Sequence, residues 1–247
     1  MKADPFVQLR LLDLQALDSG LDRLAHRRRT LPELAEIERL DGLVDGLRDG
    51  IVRAETELSD LAREQAKFER EIDQVRTRKS RDEERMASGA ITNPKQLQDM
   101  EHEVATLTRR QSDLEDGELD VMEKVETLQA QLDELTGRRG GYLAQRAAAE
   151  QRRDDGFADI ENEIARSTKE RAEMAETFPI DLLALYEKIR AHEGGVGAGA
   201  IQHGRCGGCR LDLMNNEKAA IRAAGVEDVL RHEECGRIMV RTAESGI

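Results

Sequence analysis

Ser88-Gly89-Ala90-Ile91-Thr92-Asn93-Pro94 divides two long runs of helical sequence. Before it, apolar residues recur at alternating spacings of three and four: Ile37, Leu40, Val44, Leu47, Ile51, Ala54, Leu58, Leu61, Phe68, Ile72 and Val75. After it the same rhythm runs through Leu97, Met100, Val104, Leu107, Leu114, Val121, Val125, Leu128, Leu132 and Leu135. Heptads sustained this long specify a coiled coil. Gly89 stops the first helix, Asn93 is a good N-cap, and Pro94 suits the first helical position of the second. The simplest reading is an antiparallel hairpin with its tip at about 86–94. One register pairs Val75 with Met100, Phe68 with Leu107, Leu61 with Leu114 and Leu40 with Leu135. It also sets Gln65 against Gln111, a polar layer of the kind that fixes alignment at some cost in stability.

Leu14, Leu17, Leu21 and Leu24 continue the rod towards the N-terminus, with Phe157, Ile160 and Ile164 expected opposite them. Thr30-Leu31-Pro32 restarts or kinks the helix. Residues 1–178 are therefore expected to form a kinked hairpin. Gly42, Gly46 and Gly50 lie inside the first arm and off its seam, where they read as tolerated weak spots, not as sites of close backbone approach. Pro179 ends the second arm. A short amphipathic helix, Asp181 to His192, and a glycine-rich link fill residues 179–199.

Composition agrees with a rod. Charged residues make up 36% and aromatics 2%, without tryptophan, a composition of long helices and coiled coils that argues against a large compact core. A net charge of −13 argues against non-specific nucleic-acid binding by the whole surface. No run of about 20 apolar residues could span a bilayer, and the N-terminus lacks the features of a signal peptide. With cysteines clustered, these features lead to the expectation of a cytoplasmic protein.

The chemistry is concentrated at the other end. Cys206-Gly207-Gly208-Cys209 is followed, after 22 intervening residues, by His232-Glu233-Glu234-Cys235, and the three cysteines of the chain all fall in this pattern. Two short hooks at this separation bring four soft ligands together as a zinc ribbon, expected over residues 200–247. Cys206, Cys209, His232 and Cys235 would close the shell around one structural zinc ion. His203 is a rival for the imidazole position, with a spacing that fits the hook less well. A closed shell leaves no position at which to activate water. No phosphate loop, nucleophile–base set or isolated carboxylate pair accompanies it, so the chain reads as a non-enzyme. The fold class is mainly α, a long antiparallel coiled-coil hairpin with a small C-terminal β zinc ribbon.

With these elements placed, the chain resembles a bacterial family built from a coiled-coil hairpin and a C-terminal zinc ribbon. The resemblance spans essentially the whole sequence. Its most specific stretches are Leu11-Leu12-Asp13-Leu14-Gln15-Ala16-Leu17-Asp18, Ile91 to Gln98, the first hook, and Glu233 to Ile238. The family pattern carries four cysteines, and His232 stands at the third ligand position here. The resemblance implies a non-enzymatic regulator or adaptor, with relatives linked to an alternative sigma factor of flagellar genes and to RNA binding.

Two surfaces are expected to take partners. The tip carries Arg78, Lys79, Arg81, Arg85, Asn93 and Lys95, a basic cluster suited to a protein partner such as a sigma factor or another transcription component. The ribbon carries Arg205, Arg210, Arg222, Arg231, Arg237 and Arg241, which keeps RNA or DNA open as the alternative, although aromatics for base stacking are missing. Because the arms satisfy each other, a monomer or weak dimer is expected.

Overall fold

The computed structural model describes residues 1–246. Its helices are α1 (Pro5–Arg29), α2 (Pro32–Ala87), α3 (Pro94–Ala175), α4 (Ile180–His192) and α5 (Asn215–Ala223). Its strands are β1 (Ala198–Gln202), β2 (Arg205–Cys206), β3 (Leu230–Arg231) and β4 (Ile238–Val240). Contacts group the chain into two compact units, Ala35–Glu150 and Met1–Leu34 with Gln151–Ile247. The boundaries at 178 and 199 follow composition, whereas this grouping places the N-terminal helix with the ribbon.

In the unit Ala35–Glu150, α2 and α3 run antiparallel and bury one seam. Leu40, Leu47, Ile51, Ala54, Ile72, Leu114 and Val121 are buried on it. Asn93 caps α3 by accepting a hydrogen bond from the Lys95 amide at 3.0 Å. The pairing, however, differs from the expected register. Phe68 lies against Gly117, where Leu107 was expected, and Leu135 lies against Gly50, where Leu40 was expected. Both slip the same way, by ten positions. A slip of roughly one and a half heptads returns apolar residues to apolar residues, because the seam alternates steps of three and four. The repeat thus specifies the face and leaves several registers open. The expected polar layer does not form. Gln65 donates to Glu69 at 3.3 Å and Gln111 to Glu115 at 2.7 Å, each on its own helix. The ion pairs Arg76–Glu115, Arg110–Glu71 and Arg146–Asp41 cross between the arms and suit the observed register, each adding little energy at the surface.

Gly117 supplies a constraint that periodicity does not show. A Cβ there would lie 2.8 Å from Cε1 of Phe68. Among the described residues nothing lies within 4 Å of where a Cβ on Gly42 or Gly46 would stand, in keeping with the weak-spot reading, whereas Gly50, expected off the seam with them, faces Leu135 at 3.5 Å.

In the other unit, α1 begins at Pro5, with Asp4 accepting hydrogen bonds from the amides of Phe6 and Val7. The strands form one sheet in the order β2-β1-β4-β3, in which β1 and β4 pair in parallel. The lead into the first hook is itself a hairpin: β1 and β2 pair across His203 and Gly204, whose φ of 49° and 73° fit a tight two-residue turn. Leu11 and Leu14 of α1, Leu182, Tyr186 and Ile189 of α4, and Ala198, Ile238 and Val240 of the sheet make one apolar core. Backbone pairing completes the joint, since Ala3 donates to Glu227 and Val229 donates to Met1.

Two polar residues of α1 sit inside this joint. Oε1 of Gln15 accepts hydrogen bonds from the amides of Gly197 and Ala198, at 2.7 and 3.3 Å, and its Nε2 donates to the Gly195 carbonyl at 2.9 Å. Asp18, 1% exposed, accepts from the Tyr186 hydroxyl at 2.6 Å and from Nε of Arg171 at 2.7 Å. The facing of α1 on α3 also departs from expectation. Phe157, expected opposite the leucines from Leu14 to Leu24, lies under the Arg28 guanidinium, and Asp18 reaches as far along α3 as Arg171. Burial, then the bond to Asp18, pushes the Tyr186 phenol well above its ordinary value, while the bond to Asp18 raises Arg171 against burial.

Three outcomes follow from these contacts. Asp18→Ala leaves Arg171 and Tyr186 without their buried acceptor and lowers unfolding free energy by about 3 kcal/mol in chemical denaturation. Because the folded Tyr186 phenol resists ionisation, its contribution is intact below the ordinary pKa of 10.0 and is lost as pH rises above it. Alkaline melts should therefore show stability falling above that point, less steeply in Tyr186→Phe. Finally, Gly42→Ala should stabilise the hairpin by up to about 1 kcal/mol, the usual helical gain, whereas Gly117→Ala should forfeit that gain against the Phe68 ring. Equal melting shifts for the two would contradict the packing at Phe68.

Candidate metal centre

The first hook follows β2, and the second lies between β3 and β4. The parallel pairing of β1 with β4, Ala198 opposite Ile238 and Ala200 opposite Val240, holds the two hooks side by side. Gly207 donates its amide to the Ala200 carbonyl at 2.8 Å, and a Cβ on Gly207 would lie 2.5 Å from that oxygen. Its glycine is thus needed for close approach to β1. Gly236, with a φ of 66°, serves the turn that ends the second hook.

One ligand atom from each of Cys206, Cys209, His232 and Cys235 falls in a cluster whose members all lie within 4.8 Å of one another. Nδ1 of His232 is 3.1 Å from Sγ of Cys235 and 3.3 Å from Sγ of Cys209. The sulfurs of Cys206 and Cys235 are 4.0 Å apart. A tetrahedral zinc with Zn–S of about 2.3 Å and Zn–N of about 2.0 Å requires edges of roughly 3.5–3.8 Å, so this donor set fits one structural zinc ion. His203 stands in the β1–β2 turn, exposed, and is not among the converging ligands.

The surroundings suit thiolates unequally. Burial pushes the Cys206 thiol up to about 11, against opposing hydrogen bonds from the backbone at Cys209 and Gly208. Burial acts the same way on Cys209, but the backbone at Leu211 and the neighbouring cysteines and Arg237 outweigh it and hold that thiol below its ordinary value. Around the cluster, Ile201, Leu213, Ile221 and Met239 form a small apolar core with Cys206.

The sequence singled out no partner for the ligands beyond the hooks. The structure adds Glu217 on α5, 4% exposed, with Oε1 3.8 Å from Nε2 of His232. Its signal in the sequence is faint, since a glutamate at the third position of a short helix reads as an ordinary capping residue.

The ribbon arginines are largely committed to their own chain. Arg205 pairs with Asp212, Arg231 donates to the Gly236 carbonyl, Arg237 to the carbonyls of Val196 and Glu193, and Arg241 to those of Ile221, Ala224 and Gly225. At the hairpin tip, Arg78 pairs with Glu103, and Asn93 is occupied as a cap. Lys79 is half-buried and adds to the field of Glu115. Arg81, Arg85 and Lys95 are exposed and form no ion pair among the described residues.

No helix among the described residues is long and apolar enough to cross a membrane. Residues 14–194 match the CT398-like coiled coil hairpin domain, and residues 205–239 match the C4-type zinc ribbon domain. The chain is 39% identical over 241 residues to the uncharacterized protein Rv2229c of Mycobacterium tuberculosis, covering 98% of each. A solved structure from Mycobacterium smegmatis, 36% identical, superposes with a TM-score of 0.85 over 98% of this chain and 100% of that one. The CT398 structure from Chlamydia trachomatis, 19% identical, shares the fold with a TM-score of 0.65, over 96% and 98% of the two chains. Matched along both its hairpin and its ribbon, the chain belongs to the CT398-like family of coiled-coil hairpin proteins that end in a zinc ribbon.

Proposed function

We propose that this protein is a non-catalytic adaptor in which Cys206, Cys209, His232 and Cys235 hold a structural zinc ion and the hairpin tip engages an acidic protein surface. The observation that carries the first half is the convergence of four protein ligands on one point. Such a shell leaves no place for a metal-bound water and therefore no hydrolytic chemistry. The second half rests on the exposed cations Arg81, Arg85 and Lys95, which form no ion pair among the described residues, with Arg78, Lys79 and Asn93 beside them. Arginine and lysine at an exposed end steer association with a surface of opposite sign. The resemblance to sigma-factor-binding relatives makes a transcription component the first partner to test. Binding of RNA or DNA by the ribbon is the weaker reading, because four of its six arginines already donate to or pair within the chain.

Removal of zinc by a strong chelator should disorder the ribbon, seen as loss of amide protection over residues 200–240, while the helical circular-dichroism signal of the hairpin persists. Partner capture from the native cell should separate the surfaces. Intact protein and a zinc-stripped sample should recover the same salt-sensitive protein, and the triple variant R81E/R85E/K95E should lose it. Undiminished capture by the triple variant would remove the tip as the recognition element.

A further inference from the structure

The imidazole of His232 has a second nitrogen, and the ligand set does not use it. Nδ1 faces the sulfurs of Cys209 and Cys235 at 3.3 and 3.1 Å. A neutral imidazole carries one N–H, so a ring that offers Nδ1 to a metal carries its proton on Nε2. That atom is fully buried and makes no hydrogen bond within the described residues. Stranding a buried N–H is costly. The acidic group facing it is Glu217, whose Oε1 lies 3.8 Å away.

Glu217 is itself anchored for this task. Its Oε2 accepts the Met214 amide and its Oε1 the Glu233 amide, each at 3.0 Å. Glu233 is the residue after His232, so one carboxylate fastens α5 to the backbone of the second hook while standing 3.8 Å from its ring.

We infer that Glu217 is a positioning residue for the zinc site, taking the Nε2–H of His232 and so committing Nδ1 to the metal. The inference rests on the ligand set proposed above. A carboxylate on the outer nitrogen of a ligating histidine fixes tautomer and ring orientation and makes the ring a stronger donor. It has a particular use in this chain. The matching ribbon domain is of the C4 type, with four anionic sulfurs, whereas this chain has three cysteines and a neutral ring. Glu217 returns to the neighbourhood of the metal the negative charge that the fourth thiolate would have carried.

The test is a cycle of zinc affinities, measured on the full chain by competition with a chromophoric chelator, for wild type, Glu217→Gln, His232→Cys and the double variant. Glu217→Gln should weaken zinc binding about 10- to 100-fold with His232 in place. In the His232→Cys background, where no ring N–H remains, the same substitution should cost no more than a few-fold. Equal losses in both backgrounds would reduce Glu217 to a helix cap and overturn the inference. Nitrogen NMR of histidine-labelled, zinc-loaded wild type needs no variant. It should show Nδ1 metal-bound and Nε2 protonated, and the reverse assignment would overturn the inference. Failure of the ligand set itself would look different: His232→Ala would then bind zinc as tightly as wild type.

Discussion

Everything at the C-terminal end depends on four donor atoms, from Cys206, Cys209, His232 and Cys235, meeting on one point. Directly behind the hooks there is little else. The ribbon's strands are two to five residues long, and the apolar cluster behind the hooks consists of Ile201, Cys206, Leu213, Ile221 and Met239. So small a core cannot offset the entropy of ordering loops on this scale, and metal binding is the usual source of the remainder. The hooks come from the two outer strand pairs, β1–β2 and β3–β4, of a sheet whose central pair, β1 and β4, runs in parallel. Glycine at 207 allows the first hook to back onto β1 without a side chain between them.

A second constraint joins the ribbon to helix. Gln15 satisfies the amides of Gly197 and Ala198 just before and within β1, and Asp18 gathers Tyr186 and Arg171. These are buried polar groups with their hydrogen bonds made, the condition under which such networks specify one arrangement. The N-terminal strand-like residues add to the same joint through Ala3 and Met1. The stretch Leu11 to Asp18 is therefore double-sided in function. Leu11 and Leu14 enter the apolar core, and its glutamine and aspartate hold the polar edge of that core.

Much of this was legible in the sequence, and the exceptions have physical causes. The heptads, the break before Pro94 and the paired hooks are local patterns, and local patterns determine which residues form helices, which face is buried and where ligands sit. Register is not local. A repeat of three and four reads the same after a slip of several residues, so Phe68 found Gly117 instead of Leu107. Only the ring against a glycine and the ion pairs between the arms discriminate. Polar residues on helices usually face water, which hid Gln15, Asp18 and Glu217 among many similar side chains. Their burial depends on α1 and α5 docking against the sheet. The clustering of His232 with the three cysteines, by contrast, was readable, because its spacing from Cys235 reproduces that of Cys206 from Cys209.

The most direct measurement is X-ray absorption at the zinc edge on the intact, purified protein. The account predicts one zinc per chain with three sulfur scatterers at about 2.3 Å and one imidazole nitrogen at about 2.0 Å. Two sulfurs, or added oxygen scatterers from water, would contradict it, because the shell would then be open and one of the four residues would not be a ligand.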